Sequence, residues 1–261
     1  MMLTKENVRS LAPAAFATEP DKFRSDKYTF VSSERVIDEM SALNWGVYEA
    51  TTIRTRVSDQ NHSKHLIKFR SNNPDAFVID PRGVGYDGFE KKMFPELLWY
   101  NSSDGSFRCQ FYAGLFTMVC SNGLVITLTD FGSFGHKHQG FDAEVAYSIT
   151  ADFTNRMDEV MGMVETMTNT DTSDFRYDYA RRAKELRWDS GSNVNPTELL
   201  NPRRAFDDGT DLWTTYNVIQ ENLIKGGNFG GKRKSRGLNN IVKEHSINTG
   251  LWDLTKEYCV N

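Results

Sequence analysis

Apolar residues change their period several times along the chain, and each change marks an element. Val36, Ile37, Met40 and Leu43 recur at helical spacing behind Ser32 and Ser33, which stand where an N-cap belongs, and Trp45-Gly46 closes that helix. From Val47 the period falls to two. Ile53 and Val57 alternate with Arg54 and Arg56, and His65, Ile67 and Phe69 alternate with Lys64, Lys68 and Arg70. The polar link Ser58 to Ser63 is short enough to join the two runs as an antiparallel hairpin with one apolar and one basic face. Further strands are predicted at 76–79, 97–101, 107–120 and 124–128, with Asn122-Gly123 as the turn dipeptide before the last.

Ala146, Ile149, Phe153, Met157, Val160, Val164 and Met167 then step by three and four residues, which predicts a long helix whose apolar stripe covers the sheet. Phe175, Tyr179 and Leu186 mark another helix, Asn195-Pro196 suits the first two positions of a short one, and Leu212, Tyr216, Ile219 and Leu223 mark a third ended by Gly226-Gly227. Asn248 or Thr249 is expected to start a last turn carrying Leu251, Trp252 and Leu254. The pattern is that of an α+β protein. An antiparallel sheet covered by a long helix fills residues 1–170, and a helical extension fills 171–261.

Charge alters this picture at two places. The predicted hairpin gathers Arg54, Arg56, Lys64, Lys68 and Arg70 with no carboxylate interleaved, and such a face repels itself unless it is solvated or met by anions. The second place is the segment Gly226 to Gly237, with five glycines among its twelve positions and Lys232, Arg233, Lys234 and Arg236 without an acidic neighbour. It is expected to be an exposed arm outside the core, able to follow a phosphate backbone while Phe229 stacks on a base. The bland alternatives are a solvated outer face and a flexible linker. Arg176, Arg181, Arg182, Lys184 and Arg187 also cluster, but Asp178 and Glu185 can neutralise them within one helix.

The formal charge of −4 excludes a uniformly basic coat, so any polyanion site must be local. Cys109, Cys120 and Cys259 are widely spaced with no CxxC pair, which suggests neither a disulfide framework nor a cysteine zinc site. No apolar run reaches the roughly 18 residues of a membrane span, and the first ten residues have no signal-peptide core. A cytoplasmic protein with no membrane partner is expected.

Catalytic patterns are sparse. His136 and His138 would share one side of a strand and, with Asp130, Asp142 or His65, could hold a divalent metal. Two histidines lacking a fixed third ligand are the weaker candidate, and no metal is predicted. Asp80 with Glu90-Lys91-Lys92 lacks the paired strands a metal nuclease needs, no serine lies in a G-x-S-x-G turn, and Gly83-Val84-Gly85 lacks the third glycine of a dinucleotide loop. No cofactor is predicted.

Several stretches carry a family resemblance. They are Val31-Ser32-Ser33-Glu34-Arg35-Val36, Leu98 to Gly105, Gly114-Leu115-Phe116, and Val119-Cys120-Ser121-Asn122-Gly123-Leu124. To these add Leu212-Trp213-Thr214-Thr215-Tyr216-Asn217, Gln220-Glu221-Asn222 before Gly226-Gly227, and Asn248 with Leu251-Trp252. Together they resemble the phage- and plasmid-borne family called domain of unknown function 932, over nearly the whole chain. The resemblance implies a mobile-element protein of the bacterial cytoplasm and implies no catalytic residue.

The function expected from charge and spacing is nucleic-acid binding, to single-stranded DNA, in phage DNA replication or recombination. Strand annealing as a homo-oligomer, without bond chemistry, is its most specific form and rests on analogy of fold. The alternatives are a metal-dependent enzyme on nucleic acid or nucleotide, and a protein that meets host defences through the acidic stretch Asp142 to Glu165.

Overall fold

The computed structural model describes residues 2–24, 28–53, 60–73, 93–107, 109–117, 123–130, 141–230 and 234–259. These form helices α1 (Lys5–Leu11), α2 (Ser33–Ala42), α3 (Ala143–Asn169), α4 (Arg176–Glu185), α5 (Leu212–Lys225) and α6 (Ile241–Lys256). The strands are β1 (Trp45–Thr52), β2 (His65–Ser71), β3 (Met93–Asn101), β4 (Gln110–Thr117) and β5 (Gly123–Asp130), neighbours in chain order within one five-stranded sheet. The fold is α+β, as the periodicities predict. The described residues fall into two compact units, one made of those within Met1–Val78, Phe94–Gly114 and Ile126–Arg156, the other of those within Ile79–Met93, Leu115–Val125 and Met157–Asn261.

In the first unit Ser32 caps α2 by accepting the Arg35 amide, and Asn44 turns the chain into β1 with a positive φ of 66°. β1 and β2 pair antiparallel from Trp45 opposite Ser71 to Thr52 opposite His65, with a bulge between Val47 and Glu49. The hairpin is therefore present, displaced toward Trp45. Arg54 and Arg56 lie beyond β1, outside the described residues.

β2 and β3 are antiparallel, which sets His65, Ile67 and Phe69 opposite Asn101, Trp99 and Leu97. These six are buried on one face with Phe111 and Phe141, whose rings lie 4.7 Å and 6.1 Å from that of Trp99. Leu66, Lys68, Leu98, Tyr100 and Tyr112 are buried as well, although by the strand alternation they belong to the other face. The expected exposed basic face of the hairpin is thus not an outer surface. The predicted strand at 76–79 lies outside the described residues.

The second unit is organised around α5. Of the thirteen residues from Leu212 to Ile224 all but Asn217 are buried, the signature of a helix surrounded on all sides. Asp211 caps its start by accepting the Thr214 amide, and Gly226 closes its end with a φ of 69°. Tyr216 stacks on Trp213 and meets Trp252 of α6 edge-on, while the Tyr179 hydroxyl of α4 bonds that of Thr255 at 2.7 Å. The last helix begins at Ile241, capped by Asn240, rather than at Asn248 or Thr249. Asn248 is buried mid-helix, and its side chain accepts from Gln220 at 2.9 Å.

Candidate functional site

The hairpin cations do not stand unneutralised. Lys68 is buried with Nζ 2.9 Å from the Glu49 carboxylate on β1. Arg70 lies 2.5 Å from the Glu96 carboxylate on β3 and covers the Tyr48 ring at 3.4 Å. Carboxylates absent from the hairpin's basic positions arrive from both neighbouring strands, which corrects the expectation of a carboxylate-free face. Burial drives the Glu96 carboxyl above its ordinary range, against the pull of Lys68 and Arg70. Lys64 is half-buried, with Nζ 6.0 Å from the Phe107 ring centre.

A different polar cluster occupies the same unit. Trp99 Nε1 and Asn101 Nδ2 donate to the Ser33 hydroxyl oxygen at 2.8 Å and 2.9 Å, so the hydroxyl proton points to His65 Nε2, 2.7 Å away. His65 then carries its own proton on Nδ1, directed at the Ser63 carbonyl at 3.1 Å. Asn101 also donates to the Val31 carbonyl and accepts from the Ser102 amide and the Cys109 thiol. The atoms are those of a nucleophile and its base. With Ser33 only 2% exposed and its oxygen holding three hydrogen bonds, the arrangement is a structural node joining α2, β2 and β3.

Burial holds this histidine neutral by lowering its pKa to about 4, and burial lowers that of His245 similarly. An unfolded histidine takes up its proton near pH 6.5, so between there and about pH 4 the unfolded chain binds more protons than the folded one. Stability from these two sites is complete above that window and falls as pH drops through it. Urea midpoints measured across the window should decline, and the decline should be shallower in His65→Gln. Equal declines in the two proteins would contradict the assignment.

The basic segment of the second unit also departs from expectation. Gly227 and Ser235 exchange both backbone hydrogen bonds, at 3.0 Å and 2.8 Å, and the Leu238 amide donates to the Ile224 carbonyl at 2.8 Å. Phe229 is buried at 4% exposure, edge-on to Trp188 at 5.6 Å, and its carbonyl accepts from the Asn195 amide at 2.8 Å. The segment is therefore a closed loop pinned at its base. Phe229 is a core anchor, not a ring offered to a base.

Arginines finish the helix end beneath it. Arg187 donates to the carbonyls of Leu223 and Arg236, and Arg203 donates to the Gly226 carbonyl and the Asn222 side chain. A helix C-terminus repels anions through its unsatisfied carbonyls, and these guanidinium groups cancel that field. Asn222 donates in turn to the carbonyls of Leu199 and Asn201. Glu221, buried at 3%, holds Arg204 at 2.5 Å and Lys225 at 2.6 Å. Burial opposes its charge, but the two cations outweigh this and keep the carboxyl below its ordinary value.

On this base Lys234 and Arg236 are exposed, and neither side chain meets a carboxylate among the described residues. Lys232 and Arg233 lie outside the described residues, as do His136 and His138. Among the described residues no group of three or more His, Cys, Asp or Glu is placed to hold a metal, and no helix is long and apolar enough to cross a membrane.

Ser33, Trp99, Asn101, Gln220, Glu221 and Asn222 were not singled out by charge or spacing as site residues. Burial reveals them, and each lies in a stretch that carries the family resemblance.

Two relatives match almost end to end. The chain is similar to the UPF0380 protein YafZ and the UPF0380 protein YfjQ, both of Escherichia coli (strain K12), each 29% identical over 263 positions covering 96% of this chain and 89% of the relative. No solved structure matches. The family model described as Domain of unknown function (DUF932) matches residues 22–252, a span that holds the Ser33 node, α5 and the basic loop, and the chain belongs to that family.

Proposed function

We propose that this protein binds nucleic acid through the loop Gly226 to Gly237. The observation that carries the reading is a set of exposed, carboxylate-free cations on a base that is already ordered: Lys234 and Arg236 stand on a loop closed by the Gly227–Ser235 pairing and anchored by Phe229. Ordering a glycine-rich arm on its ligand would cost about 1–2 kcal/mol per residue, and pinning the base in advance removes much of that cost. Lys232 and Arg233 of the same segment would add to the field.

The hairpin does not share in this proposal as first expected, because Lys68 and Arg70 are committed to Glu49 and Glu96. A role in DNA replication or recombination, including strand annealing, is the process-level form of the proposal. The metal-dependent reading rests on His136 and His138, which lie outside the described residues.

Fluorescence anisotropy with a labelled oligonucleotide tests the proposal. Affinity should fall steeply as salt rises, because phosphate contacts release condensed cations. The double variant Lys234→Ala, Arg236→Ala should bind more weakly and lower the slope of log affinity against log salt by about 2. Binding that is absent at low salt, or that is indifferent to both substitutions, would refute it.

A further inference from the structure

We infer that the loop grips the phosphodiester chain alone and leaves the bases unstacked and free to pair. The inference rests on the reading that this loop binds nucleic acid, and it specifies which part of the ligand is recognised.

Tight, sequence-tolerant binding of single strands normally combines cations with an aromatic platform on which bases lie. Two aromatic rings belong to this loop cluster, and both are occupied. Phe229 is buried and meets Trp188 edge-on. Trp188 is half-buried, and its ring is covered by the Arg187 guanidinium, 4.7 Å from the ring centre. That guanidinium is itself fixed by the carbonyls of Leu223 and Arg236, so the ring stays covered as long as the helix end keeps its cap. Displacing it to admit a base would uncover the last carbonyls of α5 beside an approaching phosphate, an unfavourable exchange.

What the loop offers instead is charge. Lys234 and Arg236 are exposed, while Asn228 is the exposed polar side chain between the loop's first glycines and its anchor. None of these supplies a flat apolar surface. Lysine and arginine contacts to phosphate fix position without reading base identity. A strand held in this way keeps its base edges outward, with its backbone charge screened. That is the state in which a complementary strand can pair with it.

The test compares two labelled strands of about 20 nucleotides, one of ordinary mixed sequence and one abasic throughout, so that the phosphodiester chain is the same and the bases are missing. Stacking would favour the ordinary strand by tenfold or more, since each stacked base contributes about 1–3 kcal/mol. The expected result is affinities within about threefold of each other, with parallel salt dependence. A preference of tenfold or more for the base-bearing strand, with both strands still weakened by removing the two cations, overturns the inference and leaves binding by the loop intact. If neither strand binds at low salt, or if Lys234→Ala with Arg236→Ala changes neither affinity, the underlying nucleic-acid reading fails instead. If the double variant weakens both strands by the same factor, backbone-only recognition is supported.

Discussion

Ser33→Ala is expected to destabilise the protein by about 4 kcal/mol, several times the effect of the same change at its neighbour. The substitution removes the oxygen that accepts from Trp99 and Asn101 and the proton that satisfies His65 Nε2. Leaving a buried donor or acceptor without its partner costs about 1–3 kcal/mol each, and Asn101 retains its bond to the Val31 carbonyl. Ser32 offers the internal comparison, since it caps α2 at the surface and its loss costs about 1 kcal/mol. Urea unfolding of the two variants decides the matter. Equal midpoints would mean that the node contributes no more than a helix cap.

Gly226→Ala should have the second large effect, about 3 kcal/mol or more, and should act on binding as well as folding. The residue has φ 69° and ψ −174°, a conformation costly for any side chain. A methyl group there would also collide with the backbone carbonyl oxygens of Ser235 and Arg236, the latter at 2.6 Å, so the two ends of the loop would have to part. Thermal unfolding should show the loss, and oligonucleotide affinity should drop in the fraction that remains folded. Gly191→Ala is the control: nothing lies within 4 Å of its added carbon, and a change within about 0.5 kcal/mol is expected. Similar behaviour of the two variants would remove the loop base from the account.

Local periodicity made the elements legible. The β2 alternation, the α3 stripe from Ala146 to Met167 and the glycine stop after α5 are each short-range patterns, and each is present in the structure. The long-range partners were hidden. Glu49 and Glu96 neutralise Lys68 and Arg70 from strands 19 and 26 residues away, and no pattern within β2 announces them. Phe229 lies among glycines, and its meeting with Trp188, across some forty residues, is not visible in its own neighbourhood. The start of α6 was misplaced because Ile241 and Val242 are followed by the polar run Lys243-Glu244-His245-Ser246, which masks the helical period before Ile247.

The pairing of Gly227 with Ser235 also closes the loop at its base, at a cost that depends only weakly on the number of residues between them. The entropy of closing a loop grows only with the logarithm of its length, so doubling it adds about 0.6 kcal/mol. Residues inserted between Gly230 and Lys234 would leave the base bonds, the Phe229 anchor and the arginine cap untouched. A loop lengthened there by design is expected to keep the stability of the helix on which it stands, because the described contacts that fix that helix end lie outside the insertion.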